Sequence, residues 1–596
     1  MRRTILYVSL LSAALVASAA LLPADAAKPS AAAMGNMSAM GPMANPAPAP
    51  NPPPVTPGCA YQPIDLQKYG MKPYADAPVI HSGYDHALHA TLTIAYTDPA
   101  KTSIAGCPVK LRTYNAQLVG PTLRVRGGDT MYITVVNDLP ESVDSNGKPI
   151  PCPMDHNNMM QSLNTTNLHT HGLHVSPSGN SDNIFIEICG HKANTPPAKQ
   201  DYVIHIPNNH PPGTFWYHAH VHGSTAVQVS SAMEGAIVIE GNIDQVPQIK
   251  AMKEKTLLMQ QISYDQNGQI ESLGLFSPGS WAKSQRVVTI NGQIAPVIRM
   301  QPGEIQHWRF IHGGVRETLF LSVPGGGALN EIATDGNTTG RIDAWKSNLE
   351  FDPGYRSDIL FQAPALPTGK TTMRYFLTSA PVTGARSLQV RLPPLPQRRN
   401  LKAMAFLSAV EQPAGTIAVI EVSGAPVTMA MPTVAELAPL APYKPITDKE
   451  LTGVAQTMAF SIASAVCGPT GPCQPCDPST QPKDCVTQFM VNDYPYPSGP
   501  VRQMKLATAS VWHLSVDPAS VAPEHPFHIH VNPFEMVRNG PDGKPQTVWK
   551  DTLLIHQGEP VDVKSRYEDF TGAFVLHCHI LDHEDQGMMQ KVEIVN

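Results

Sequence analysis

Past its first 26 residues this 596-residue sequence has no uncharged apolar run long enough to cross a membrane, so no spanning helix is expected and the product should be soluble. It also lacks any basic block interleaved with aromatics, which leaves nucleic-acid binding without an electrostatic footprint. The formal net charge of −6 is mildly acidic, and small neutral or cationic molecules remain open as partners. Long helical patterns are missing too. Proline stands at 59 of 596 positions, about twice average usage, which suits strand ends and turns better than helices.

The opening 26 residues read as a secretory signal: Arg2 and Arg3, an apolar stretch from Ile5 to Leu22 broken by serines, then Ala24-Asp25-Ala26. An exported chain, periplasmic or extracellular, is expected. Arg2-Arg3-Thr4-Ile5-Leu6 matches the twin-arginine pattern in part, so both export routes stay open. Nine cysteines are present. Apart from Cys578, the other eight are Cys59, Cys107, Cys152, Cys189, Cys467, Cys473, Cys476 and Cys485. In an exported protein these are expected to form disulfides, whose pairing sequence cannot choose. The last four lie in a Gly/Pro-rich stretch where a four-thiolate metal site is the alternative.

Residues 27 to 58 are rich in Ala, Pro and Met without apolar periodicity, the mark of a disordered leader. Met34, Met37, Met40 and Met43 recur there at every third position. Thioethers favour cuprous ion, so this spacing is either incidental to a tether or a collector of that ion, extended by Met154, Met159 and Met160. From Cys59 onward, short Val/Ile/Thr-rich runs such as Met131-Tyr132-Ile133-Thr134-Val135-Val136 alternate with Gly/Pro/Asn/Asp turns, which is all-β texture.

Twelve side chains in four short clusters carry the chemistry. They are His169-Thr170-His171, His218-Ala219-His220, His525-Pro526-Phe527-His528-Ile529-His530, and His577-Cys578-His579 with His583 and Met588. A His/Cys/His set with a weak methionine thioether is the signature of a blue-copper electron-transfer site. Here that set would be His525, Cys578, His583 and Met588. The remaining eight histidines form four His-x-His pairs and need a second, larger metal site. His169 and His171 recur as His528 and His530 at an offset of 359, and His218 and His220 recur as His577 and His579 at the same offset. A fixed offset between ligand pairs implies two copies of one unit and a pseudosymmetric site between them. On a strand, successive side chains face opposite ways, so His577 and His579 would face one site and Cys578 the other. The covalent path between the two sites would then be only on the order of 10 Å.

In this order, the four clusters resemble those of the multicopper oxidases, the family of laccases and bacterial cuprous oxidases, from about Pro121 to the C-terminus. The resemblance implies four coppers. A type 1 ion would lie on His525, Cys578, His583 and Met588, and a type 2 ion on His169 and His528. A type 3 pair would take His171, His218, His220, His530, His577 and His579. It further implies that single electrons from a small reductant enter at the type 1 copper while dioxygen is reduced to water at the other three. Forming water consumes protons. Glu584 resembles the family's proton-relay acid, and Asp182 is a second candidate, although the stretch from Ser176 to Asp182 is longer than in better-known bacterial members.

A second echo, Pro121 to Asp129 against Pro296 to Glu304, places another copy in the middle third, without His-x-His pairs. The expected fold class is therefore all-β, with three cupredoxin-like Greek-key sandwiches at 59–242, 243–426 and 446–596. A proline-punctuated linker would span 427–445, and the middle unit would be a spacer. A monomer is expected. His174 and His222 read as structural neighbours of the pairs. Asn164-Thr165-Thr166 and Asn337-Thr338-Thr339 match the glycosylation sequon. The expected activity is oxidation of a phenol, aromatic amine or metal ion such as cuprous by dioxygen. The alternative is a copper-sequestering resistance protein; a nitrite reductase would lack the full set of four pairs.

Overall fold

The computed structural model describes Cys59 and residues 64–144, 147–152, 162–281, 284–379, 415–468, 471–480 and 485–596. The signal segment, the methionine-spaced leader and Met154, Met159 and Met160 lie outside the described residues. No helix among the described residues is long and apolar enough to cross a membrane.

Six large sheets pair into three sandwiches along the chain. In the first, a five-stranded sheet ending in Glu234–Glu240, Gly213–His218 and His169–His171 faces a four-stranded sheet centred on Ala87–Tyr96 and Thr130–Asn137. The middle sandwich sets a six-stranded sheet, containing Lys253–Tyr264, Ile305–His312 and Arg356–Gln362, against a five-stranded one. The third sets a seven-stranded sheet against Arg502–Lys505, Met589–Val595, Gly572–Cys578, Glu524–Ile529 and Thr552–His556. Each encloses its own apolar core. Leu88, Val125 and Ile133 lie in the first, Trp308, Phe310 and Ile359 in the second, and Trp512, Phe527 and Leu576 in the third.

Strand burial separates outer walls from interfaces. Thr130–Asn137 buries every second residue, as expected when one face meets water. Gly213–His218 and Ile305–His312 are buried at every position, because one face packs on the parent core and the other on a neighbouring sandwich. Trp216, Ala236, Leu258 and Ile311 fill the seam between the first and middle sandwiches. The two echoed segments adopt matching turns. The Asp129 carboxylate accepts from the Arg126 amide at 2.8 Å, and that of Glu304 accepts from the Gln301 amide at 2.7 Å. Gly128 and Gly303 take φ of +91° and +80° in these turns, where a Cβ would be strained.

All eight cysteines other than Cys578 are in disulfides: Cys59–Cys107, Cys152–Cys189, Cys467–Cys473 and Cys476–Cys485. The last two pairings replace the four-thiolate alternative. Both sequon asparagines are buried and their side-chain amides are committed, Asn164 to Pro140 and Asn337 to Asp335, so neither can carry a glycan in the folded chain. The segment read as a linker forms a short helix, Val434–Leu437, capped by Thr433 and seated on the middle sandwich through Leu437.

Candidate metal centre

Strand alternation divides the donors as the sequence requires. Cys578 closes the strand Gly572–Cys578 with its Sγ turned into the third sandwich, while His577 and His579 face outward. Sγ lies 3.4 Å from His525 Nδ1 and 3.8 Å from His583 Nδ1, and those two nitrogens are 3.3 Å apart. His525 comes from the adjacent strand and His583 from the short helix Leu581–Asp585. Met588 is fully buried in the same apolar cluster as Cys578, and its backbone oxygen accepts from the Cys578 amide at 3.0 Å. Its neighbour Met589 packs elsewhere, against Ile184, Val575 and Tyr496. His583 is 6% exposed while His525 and Cys578 are at 0%, so this site meets solvent at His583, beside the Phe489 ring.

Burial pushes the Cys578 thiol well above its ordinary value and lowers His525 to about 3. The imidazoles are thus already in the neutral, metal-binding form. Only a bound cation would let so buried a thiol exist as thiolate. Three convergent soft and borderline donors of this kind suit copper.

The eight paired histidines meet between the first and third sandwiches, every one buried. His171, His218 and His579 bring donor atoms within 4.8 Å of one another, as do His169, His220 and His530, and the His220 and His577 Nε2 atoms are 3.1 Å apart. The rings of His169 and His530 stack at 3.8 Å, and those of His171 and His528 at 3.9 Å. Each anchored ring has one nitrogen tied outward. His218 Nδ1 donates to the Ala219 carbonyl, His577 Nδ1 to Cys578 and His528 Nδ1 to Asp551, at 2.8–3.0 Å. The inward nitrogens of His169, His171, His218, His528 and His530 have no hydrogen-bond partner among the described residues. Buried polar atoms are rarely left bare. Outward anchoring with inward bare lone pairs is what a metal cluster requires of its ligands. Burial, reinforced by neighbouring imidazoles, lowers His169 and His220 well below the ordinary histidine value and His218 to about 3.

The two carboxyls singled out from sequence lie on these histidines. Both Asp182 oxygens are 3.1 Å from His169 Nδ1, one also accepts from the Thr170 amide at 2.8 Å, and burial raises the group to about 7. Glu584 lies 3.4 Å from His220 Nδ1 and 3.5 Å from His577 Nδ1, and accepts from the Thr225 hydroxyl at 3.1 Å. Burial, then the charge of Asp585, raises it well above the ordinary range. Sequence reasoning passed over Asp585 itself. It accepts from the Gly223, Thr225 and Ala226 amides at 2.7–3.1 Å, tying the helix Thr225–Ser230 of the first sandwich to the helix Leu581–Asp585 of the third. The only signal was its place beside Glu584. Asp551 and Thr552, which touch His171 and His528, had no motif to reveal them. His174 is a structural link: Nδ1 donates to the Val531 carbonyl at 2.8 Å, and Nε2 meets Asp569 at 2.7 Å.

Comparison with known proteins agrees with this geometry. Two family models described as multicopper oxidase match residues 154–243 and 474–596. The chain is 23% identical over 531 residues to a laccase of Bacillus subtilis, covering 82% of this chain and 91% of that one. Among solved structures, a multicopper oxidase from Campylobacter jejuni, described as a metallo-oxidase, superposes with a TM-score of 0.63 at 22% identity, covering 89% and 97% of the two chains. One from Pediococcus acidilactici superposes with a TM-score of 0.62 at 18% identity, covering 90% and 94%. The chain is thus similar to the multicopper oxidases, by family-model matches over its two histidine-bearing stretches and by fold over nearly its whole length.

Proposed function

We propose that this chain couples one-electron oxidation of a small reductant at the Cys578 site to four-electron reduction of dioxygen to water at the eight-histidine site. The observation that carries this reading is the convergence of bare, buried imidazole nitrogens around a centre whose nearest strand also bears Cys578. One copper would be held by His525, Cys578, His583 and Met588, one by His169 and His528, and a pair by His171, His218, His220, His530, His577 and His579. When bound, copper would supply the one-electron chemistry at the first site and the dioxygen chemistry at the second.

The residues of the chain do the remaining work. His577, Cys578 and His579 are consecutive, so the two sites share one short covalent path. Asp182 fixes the orientation of His169 through its Nδ1. Glu584 touches one imidazole from each of the two sandwiches, and its burial raises it well above the ordinary carboxyl range and favours its protonated form, which suits a proton donor where water is to form. Asp182, near 7, is poised to give up or take one. Apolar packing around Cys578 excludes water from all but the His583 edge.

Phenols, aromatic amines and cuprous or other metal ions are the reductant classes that fit. The relatives named as laccases and the one named as a metallo-oxidase bring both organic and metal-ion substrates within range. The test is dioxygen consumption across a panel of phenols, aromatic amines, cuprous, ferrous and manganous ions. Catalytic uptake with any of them supports the oxidase, and stoichiometric copper uptake without turnover would favour sequestration instead. Four disulfides support export to an oxidising compartment. Domains at 59–242, 243–426 and 446–596 and a monomeric state complete the proposal.

A further inference from the structure

The middle sandwich supplies none of the twelve donors, yet it forms the floor of the eight-histidine site. Gly354 approaches so closely that an added Cβ would lie 3.1 Å from the His579 ring and 3.2 Å from the His171 ring. Two residues further on, the fully buried Arg356 guanidinium leaves its own sandwich and grips Asp551 of the third with both terminal nitrogens, one contact at 2.8 Å. The same guanidinium donates to the Gly354 carbonyl at 2.7 Å and to the Thr214 carbonyl of the first sandwich at 3.4 Å, so all three sandwiches meet on it.

Asp551 passes this constraint to the histidines. Its Oδ1 lies 3.3 Å from His171 Nε2 and accepts from the Thr552 hydroxyl at 2.8 Å; that hydroxyl is 3.3 Å from His171 Nε2 and 3.1 Å from His528 Nδ1. The Asp551 backbone oxygen accepts from His528 Nδ1 at 2.8 Å. Asp335, also of the middle sandwich, accepts from the Asp551 and Thr552 amides at 3.2 and 3.3 Å and pairs with Lys550 at 3.1 Å. The loop is therefore held by backbone and side chain at once.

His171 has particular need of such a hold. His169, His218 and His528 each present a bare Nε2 inward with Nδ1 anchored outward. His171 is reversed: Nδ1 is the bare nitrogen, and Nε2 is the one anchored, to Asp551 and Thr552. A half-turn of the ring would put carbon atoms where both nitrogens now lie, and the hydrogen bonds of Nε2 to Asp551 and Thr552 oppose it. We infer that Arg356 is a positioning residue for the eight-histidine site, acting through Asp551 to fix which face His171 and His528 turn to the metal. This inference rests on the ligand reading above. An arginine suits the task because its planar fork holds a carboxylate at two points, whereas a lysine holds it at one. Removing it leaves Asp551 buried without its partner, free to reorient.

The test uses the full copper-loaded chain, with Arg356→Met, Arg356→Lys and Asp551→Asn compared against Arg309→Met. Arg309 is a matched control: equally buried in the middle sandwich, paired with Asp358 at 2.8 Å and Asp244 at 2.6 Å, and touching Thr214 at 3.2 Å, but with no contact to the eight histidines among the described residues. Copper per chain, the blue absorption and the electron paramagnetic resonance spectrum are read together. Arg356→Met is expected to lose most of the non-blue mononuclear copper signal while the blue absorption stays. Arg356→Lys and Asp551→Asn are expected to keep that copper with altered hyperfine splitting, and Arg309→Met to leave the spectrum unchanged. A wild-type spectrum in all three variants at Arg356 and Asp551, or equal loss in Arg309→Met, overturns the inference. Absence of the non-blue signal from the wild-type chain would instead overturn the ligand reading beneath it. If Arg356→Met does not fold, the hyperfine comparison in the other two variants decides.

Discussion

Cys578 and its two flanking histidines share a strand but face sites built in different ways. The Cys578 site is assembled within one sandwich, from two adjacent strands and the helix that follows, and is enclosed by that sandwich's own core. The eight-histidine site has no sandwich of its own. Its walls come from the first and third, its floor from Gly354 and Arg356 of the middle, and its surrounding strands are buried on both faces. A site inside a core inherits the stability of that core, whereas a site at a seam depends on every contact that holds the seam. Changes at domain interfaces should therefore reach the larger site first and leave the smaller intact.

The sharpest break between the two sites should come from Cys578→Ser. A hydroxyl cannot replace the soft thiolate, so the blue absorption should vanish and substrate oxidation fall to background, while copper bound at the eight histidines remains by metal analysis. Normal turnover in this variant would remove the division of labour altogether. Next in size is Glu584→Gln, which keeps the shape but cannot release a proton. General acid catalysis is worth about 10²–10⁴-fold, and the loss should fall on reoxidation by dioxygen and spare reduction at the Cys578 site. Stopped-flow measurement of the two half-reactions separates them, and equal slowing of both would argue for a structural role.

A smaller effect, confined to the seam, is expected from Gly354→Ala. Its φ of +90° costs a residue with a Cβ about 1–2 kcal/mol, and the new methyl would press on His171 and His579. Copper retention at the larger site should drop with the blue absorption unchanged; a parallel loss of both would show that the sites are not independent. The smallest effect concerns His174, which joins the first and third sandwiches. Burial opposes its charged form, but the hydrogen bond and charge of Asp569 outweigh this and raise it above the ordinary histidine value. The stability from this pair is thus fully present below the ordinary histidine value and is lost as pH rises through the raised one. Thermal unfolding followed from pH 6 to pH 9 should show a decline that His174→Asn flattens. An unchanged slope in the variant would mean that the pair does not tie the sandwiches together.

Much of this was legible before any coordinates. The four clusters, the 359-residue offset and strand alternation were enough to expect two sites served by one strand, because a period of two is a local property of extended chain. Glu584, directly after His583, was expected because that position resembles the proton-relay acid of the multicopper oxidases. Asp182 was a weaker expectation, since the thirteen-residue step from His169 says nothing of how the loop returns. The middle sandwich was misjudged as a spacer. Histidine pairs mark ligands, but nothing in Gly354-Tyr355-Arg356 marks a contact with Asp551, 195 residues away.

The sequence by itself determined the candidate donor set, the all-β texture and the pairing of one cysteine with two oppositely directed histidines, each set by residue type and short-range periodicity. Tertiary structure alone decided the disulfide pairing, the capping of one helix by Asp585 across a domain boundary, and the setting of Arg356 against Asp551. The disulfides depend on how each sandwich folds its own loops, and the other two contacts on which distant surfaces meet when the sandwiches close on one another. Such contacts are chosen by shape and by the need to pair every buried charge, and neither leaves a pattern in the order of residues.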